Sequence, residues 1–537
     1  MKPFNLNNSK IQNLLLKLSL YPAEVAFKTV ELEFPKLIGP ICEQLGNIYL
    51  KNKQYLFAAF IYKKSLTFEP PSSSILCNLA VSLNLAGEHT EACEYAKSAF
   101  ELNPKSSVLI KVYLECLLML GYTEEIKSIA LSFLKVHPID LDVKFILAQN
   151  YRLQGNFSES LEILLELKKL KYNFQLDLSI ADVVGETNTL EAIRIYEDIS
   201  ATKTKLSPLN KYNLSLHYLR IRNFSKGWEL FEYGLDKDIG NFGRRIPYNF
   251  SHTFRADKHP VDPNTCVMLC TEQGIGDQLI FLSALPEALK EFPKLFFLCE
   301  KRMMPIIKRS LPELTLTSDG AINGVNFFND QSLGALGYLP LGSLLARYRP
   351  DLDSFLSNRK SFLNVDSSLY YHYKNIFNSY ASGRKVIGIS WKSKVAKNLQ
   401  KIKNIEFLDW LPIFDANTLI VNLQYGDTLE EQALVKSLGL EMISFNHIDF
   451  TSDLDQWMSI AAACDGIVSI STSLVHFAGA CGQHVRVVMP FSQGHWSLGL
   501  NESDSIFYPN VHIERKLFDD LAFSSLILNA ADKIVKV

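Results

Sequence analysis

Nowhere in the 537 residues does an apolar run approach the roughly 20 residues that a helix needs to cross a bilayer, so no transmembrane segment is expected. Neither charge sign dominates: 55 Lys and Arg stand against 57 Asp and Glu, which excludes a global basic field drawing the chain to nucleic acid. The nine cysteines lack metal-ligand spacing. Only Cys266 and Cys270 lie close together, and no second pair completes a zinc site or argues for a disulfide framework. No paired acidic motif offers a divalent-metal site, so neither metal nor bound cofactor is expected. Met1 to Lys10 is polar, and Asn13, Lys17 and Ser19 interrupt the run from Ile11 to Leu20, which reads as an amphipathic helix rather than a signal peptide. A reducing cytoplasm is the expected compartment. What is present is ordinary for a folded protein, 47% hydrophobic and 21% charged, and too long for one core.

Proline recurs at Pro70, Pro104 and Pro138, and the intervals repeat one pattern of small and large apolar residues. In the first copy these are Leu45, Gly46, Tyr49, Ala58, Tyr62 and Ser65; in the second Leu79, Ala80, Leu83, Ala92, Ala96 and Ala99. The third has Tyr113, Leu117, Ile126, Ala130 and Phe133, and the fourth Leu147, Ala148, Tyr151, Ser160, Leu164 and Leu167. The small residues let paired helices approach, and proline, lacking an N–H, closes each unit. A fixed period of this length marks a helix-turn-helix solenoid, and the spacing resembles the tetratricopeptide repeat. The clearest repeats span 39–170. Ala192, Tyr196 and Ile199 fit a fifth unit, and the solenoid is expected to occupy 1–235, with Trp228 capping it against the next domain.

Residues 236–264, rich in Gly, Pro, Asn, His and Arg without a period, read as a connector. Beyond them short apolar strands alternate with helices. Strands are expected at 266–270, 295–299, 386–390, 418–423, 442–445, 466–470 and 485–489, with helices at about 278–290 and 305–311. Alternation of this kind argues for parallel sheets covered on both faces. The polar stretch 364–384 separates two Rossmann-like halves, 265–380 and 381–537, facing each other across a cleft.

Three segments carry candidate chemistry. Between a strand and a helix, Gly274 and Gly276 let a ligand approach main-chain N–H groups, and Asp277 on the helix's first turn is either a helix cap or a base for an acceptor hydroxyl. The third glycine of the dinucleotide motif is missing. After the 466–470 strand, Ser471, Thr472 and Ser473 sit where a helix begins, so hydroxyls and free N–H groups can converge on a phosphate, with His476 one turn further in as a further contact or an interior histidine. At another strand end, Ser390 and Lys392, with Lys394 and Lys397 beyond, can neutralise a diphosphate. Gln424 suits a base or ribose, and Ser492, Gln493, His495 and Trp496 follow the last expected strand.

The Gly274-Ile-Gly-Asp277 segment, the Gly388-Ile-Ser-Trp-Lys392 strand end, Ser471 to Ala480 and Phe507-Tyr-Pro509 together resemble the glycosyltransferase family 9 domain related to lipopolysaccharide heptosyltransferases. Many bacterial proteins similar to this one attach that domain to tetratricopeptide repeats, with an element like Gly227 to Glu232 at the junction. The resemblance implies a GT-B fold after the solenoid, Asp277 as general base, and Lys392 near the donor diphosphate. The family's Asp-x-Gly-x-x-His donor motif falls on Ser471 to His476, where Ser471 and Ser473 depart from it. The expected function is transfer of a sugar from a nucleotide-sugar, as co-substrate, to an acceptor, preferably a polypeptide held on the concave repeat surface. Two alternatives are a non-catalytic scaffold with a decayed transferase domain and a nucleotide-sensing scaffold that has no need of Asp277.

Overall fold

The computed structural model describes residues 9–170, 173–202, 205–236, 243–244, 253–255, 266–318, 321–322, 325–326, 336–393, 404–489, 494–516 and 522–536. From Ser9–Leu18 to Phe224–Phe231 the described residues form helices without strands. The repeat units are Ile38–Lys51 with Tyr55–Ser65, Ser73–Ala86 with His89–Leu102, Ser107–Leu120 with Thr123–Val136, and Leu141–Leu153 with Phe157–Leu170. Every apolar and small site named for these four copies is buried except Tyr151, which is half-buried. Gly46 shows why a small residue is required: a Cβ there would lie 2.7 Å from the Tyr62 ring.

The period also sets the helix ends. Ser72, Ser106 and Asp140 occupy equivalent positions, and each side chain accepts the backbone N–H three residues on, at 3.2, 3.4 and 3.0 Å. Gly87 and Gly121 close the first helices of two units in the left-handed region, at φ 92° and 74°. Further pairs, Phe174–Val184 with Thr189–Ala201 and Pro208–Arg220 with Phe224–Phe231, continue the pattern. The chain divides into two compact units, one ending at Leu176 and the other beginning at Asp177. The last repeat-type helices therefore belong with the α/β portion. Phe224, Trp228 and Phe231 lie in the same apolar core as its strands.

The second unit carries two parallel sheets. The first contains β1 (Thr253–Arg255), β2 (Val267–Cys270), β3 (Leu295–Leu298), β4 (Thr315–Thr317) and β7 (Leu336–Pro340), in the order β1-β7-β2-β3-β4. A two-stranded antiparallel ribbon, β5 (Ala321–Ile322) with β6 (Val325–Asn326), lies outside it. The second sheet contains β8 (Lys385–Ser390), β9 (Thr418–Asn422), β10 (Met442–Ile443), β11 (Gly466–Ile470), β12 (Val485–Met489) and β13 (Val511–Arg515), in the order β10-β9-β8-β11-β12-β13. Its strands β8, β9 and β11 are buried almost throughout, as expected of parallel strands covered on both faces. The fold class is thus a helix-pair solenoid followed by two Rossmann-like halves in the GT-B manner.

Three readings need correction. Thr253–Arg255, inside the supposed connector, pairs with β7 as an edge strand of the first sheet. The helix expected over 278–290 is two, Ile275–Leu282 and Leu285–Glu291, because Pro286 lacks an N–H donor and is accommodated in the first turn of a new helix. The stretch 364–384 is largely a helix, Ser367–Ala381, burying Tyr373, Phe377 and Ala381 at four-residue steps. It binds the second half, with Tyr373 donating to Gln456 and Lys374 pairing with Asp465. The remainder of the connector lies outside the described residues apart from Asp236, Gly243 and Arg244.

Candidate functional site

In an open parallel sheet, ligands bind at the carboxyl ends of strands where the order reverses. In the first sheet that place lies between β2 and β7, and the segment after β2 is Thr271 to Asp277. In the second it lies between β8 and β11, followed by Trp391-Lys392 and by Ser471 to Ser473. Register puts Ser390 beside Ser469. Two of the three segments chosen from sequence thus end at the switch point of the second sheet, and the other at that of the first.

Gly274 is the N-cap of the Ile275–Leu282 helix, and no side chain caps it. Asp277 is therefore in the first turn without serving as the cap. Its Oδ1 lies 3.1 Å from Nε2 of His495, which belongs to the loop after β12. His495 Nδ1 lies 2.8 Å from Ser497 Oγ, a contact either tautomer can make, and 3.3 Å from Ser497 N–H, which can only donate and so favours Nδ1 as acceptor with the proton on Nε2, toward the carboxylate. Gly276 faces the other half: a Cβ there would meet His476 Cδ2 at 3.3 Å and Ser473 Cα at 3.8 Å. A side chain there would press on the His476 ring, so glycine keeps that contact unstrained.

His476 is buried, and its Nδ1 has no hydrogen-bond partner among the described residues. Burial, with His495 nearby, pushes its pKa down to about 4, so the ring is neutral near pH 7; Asp277 opposes the shift. The Tyr508 ring packs 5.9 Å from it, and Gly479 lies so close to Tyr508 and Val511 that a Cβ would clash. Thr472 precedes the Ser473–Ala480 helix and does not cap it with its side chain. Ser471 and Ser473 flank it, half-buried. First-turn N–H groups without an intrahelical acceptor suit an anion.

Ser390, Lys392 and Gln424 are placed differently from Ser471 to His476. The Gln424 side chain is buried and its Oε1 accepts from Ser390 Oγ at 3.0 Å and from the N–H groups of Trp391 and Lys392 at 3.0 and 2.8 Å. It locks the end of β8. The Lys392 ammonium is held by Glu431 at 2.8 Å and by the Asp427 carbonyl at 2.7 Å. Lys394, Lys397, Ser492 and Gln493 lie outside the described residues. Beside Gln424, after β9 and β10, a cavity of about 510 Å³ is lined by Tyr425, Thr428, Phe445 and Asn446 among others. Gln432 and Asn446 exchange reciprocal amide hydrogen bonds at its wall.

Sequence reasoning missed the support under the Gly-rich turn. Glu272 is fully buried and takes a two-pronged contact from Arg244, Nε at 2.6 Å and NH2 at 2.8 Å. Its Oε1 also accepts Gly342 N–H across the switch point. Arg244 continues to Glu232 at 2.9 Å and stacks 4.3 Å over Phe231. The end of the Gly227 to Glu232 element, the connector and the turn are thereby one charged network. Gln273, between Glu272 and Gly274, sits at φ 61°, in a region costly for a side chain, and donates to Tyr212 Oη at 2.7 Å. Trp228 packs the last helix pair against the α/β portion: its Nε1 donates to the Arg349 carbonyl, and its ring meets Trp496 edge-on at 5.6 Å.

Fold and site together define a helical-repeat protein joined to two facing Rossmann-like halves, with an Asp-His contact where the halves meet. The chain is similar to protein FlbA of Caulobacter vibrioides, 25% identical over 467 residues that cover 83% of this chain and 70% of that protein. Among solved structures it is similar to a tetratricopeptide repeat protein from Parabacteroides merdae, 18% identical, covering 42% of this chain and 94% of that one with a TM-score of 0.37. It is also similar to the glycosyl transferase family 9 protein from Veillonella parvula, 13% identical, covering 52% of this chain and 99% of that one with a TM-score of 0.36. No protein-family profile matches the chain. The nine cysteines are free thiols, and no described helix is long and apolar enough to cross a membrane.

Proposed function

We propose that this chain is a glycosyltransferase that moves a sugar from a nucleotide donor to a hydroxyl of an acceptor, preferably a polypeptide engaged by the repeats. The observation that carries the reading is the Asp277 carboxylate, held by His495 at 3.1 Å where the two switch points converge. Asp277 accepts the acceptor's hydroxyl proton as the new C–O bond forms at the anomeric carbon. The bond from that carbon to the diphosphate breaks, and the departing charge is stabilised by the N–H groups and hydroxyls at Ser471, Thr472 and Ser473. His476, neutral and buried, faces this step as a hydrogen-bonding group rather than a cation. The cavity beside Gln424 suits the nucleoside, with Gln424 shaping its wall.

The scaffold alternative keeps two specific supports: Lys392 is already paired with Glu431, and the 471 to 473 segment carries no carboxylate. One experiment separates the two. Native mass spectrometry against UDP-, GDP-, ADP- and CMP-sugars reads donor retention, and mass gain on extract polypeptides reads transfer. The transferase reading expects one retained donor and, in Asp277→Asn, retained binding with turnover reduced by about 10²- to 10⁴-fold. A folded protein that retains no donor sinks it in favour of the scaffold.

A further inference from the structure

The loop that carries His495 is held by guanidinium groups, two of them from the last repeat-type helix pair. Residues 494–499 lie between β12 and β13, include only one short turn at Trp496–Leu498, and have Gly494 and Gly499 in the left-handed region at φ 68° and 70°. Such a segment presents carbonyls that no strand ladder satisfies. Arg220, the last residue of Pro208–Arg220, donates to the Gly494 carbonyl at 2.7 Å. Arg222, two residues on and itself at φ 64°, spans the Trp496 and Ser497 carbonyls at 3.2 Å each. Its Nε pairs with Glu502 at 2.6 Å. Arg515 of β13 takes the Leu498 and Gly499 carbonyls.

Both flanks of His495 are therefore fixed, residue 494 by Arg220 and residues 496 and 497 by Arg222. Ser497 is the residue whose N–H and Oγ both face His495 Nδ1, the N–H favouring the tautomer with its proton on Nε2. A planar fork reaches two carbonyls and a carboxylate through three separate nitrogens, a spread that the single nitrogen of a lysine ammonium does not reproduce. We infer that Arg220 and Arg222 are positioning residues for the contact between His495 and Asp277, so that the last repeat-type helix pair forms part of the site. The catalytic meaning of this inference rests on the transferase reading; the geometric claim does not.

The test uses the full chain labelled with ¹⁵N-histidine, without any sugar nucleotide. The His495 ring signal, assigned by its loss in His495→Gln, is expected in the Nε2–H form in the wild type and as a tautomer mixture in Arg222→Gln and Arg220→Gln. In turnover, both variants are expected to lose about 10- to 100-fold in kcat with donor KM within about twofold, because misplacement of a positioned group costs rate. Arg222→Lys recovers only part of the loss, whereas Lys226→Gln, which breaks an exposed pair with Glu197 nearby, changes neither readout. Should Arg222→Gln fail to fold, Arg220→Gln, which leaves the Glu502 pair intact, decides. An unchanged His495 signal in either folded variant overturns the inference. A changed signal in a protein that turns over no donor upholds the positioning and removes the transferase reading.

Discussion

At the scale of single residues, His476 gives the clearest consequence. A histidine has an ordinary pKa near 6.5, and burial brings this one to about 4, so between those values the unfolded chain binds the proton that the folded chain refuses. The stability due to the neutral ring is fully present above about pH 6.5 and is lost as pH falls toward 4, by about 3 kcal/mol over the window. Melting temperatures taken from pH 7.5 to pH 4.5 should fall more steeply for the wild type than for His476→Gln, whose amide does not titrate. Parallel curves would mean that the ring is not buried neutral. The sequence placed His476 next to the helix start but left its role open. Burial, which keeps its ring neutral, comes partly from Gly276 and Tyr508 in segments remote from it.

At the scale of elements, two glycines in the repeats are required for different reasons. Gly87 ends its helix at φ 92° with open space around a notional Cβ, so Gly87→Ala should cost about 1 kcal/mol from backbone strain alone. Gly46 has a Cβ direction that runs into the Tyr62 ring, and Gly46→Ala should cost about 1–3 kcal/mol by overpacking. Urea unfolding of the two variants tests the order, and relief of the second alone by Tyr62→Phe would contradict the ring-contact account, since the ring is unchanged. Strands were legible where aliphatic residues ran together, as in Gly466–Ile470. They were missed where the run was short or mixed. Leu336–Pro340 contains a glycine and a proline, and Val511–Arg515 alternates with His512 and Glu514. The Ser367–Ala381 helix was hidden by its tyrosines, serines and asparagines, although its buried positions keep helical spacing.

At the scale of the whole molecule, the compact unit beginning at Asp177 takes in the last repeat-type helices with the two sheets. Phe224, Trp228 and Phe231 fill its core, Arg220 and Arg222 hold the 494–499 loop, and Glu232 completes the Arg244 network. A chain starting at residue 177 should therefore retain a cooperative thermal transition. One starting at residue 237 should lose it, because Arg244 and Glu272 would be left with part of a buried ion network and the core with an uncovered face. Calorimetry on the two truncations checks this, and an equally cooperative melt for the shorter chain would contradict it.

The 34-residue solenoid, the alternation of strand and helix, and the placement of Gly274 to Asp277 and Ser471 to His476 at strand ends were determined by local sequence. Period and turn chemistry act between near neighbours and are written in order along the chain. The partnership of Asp277 with His495, the neutralisation of Lys392 by Glu431, and the hold of Arg220 on a carbonyl 274 residues away were decided only by tertiary structure. A hydrogen bond between distant segments depends on which faces the sheets bury together, and no spacing along the chain encodes that choice.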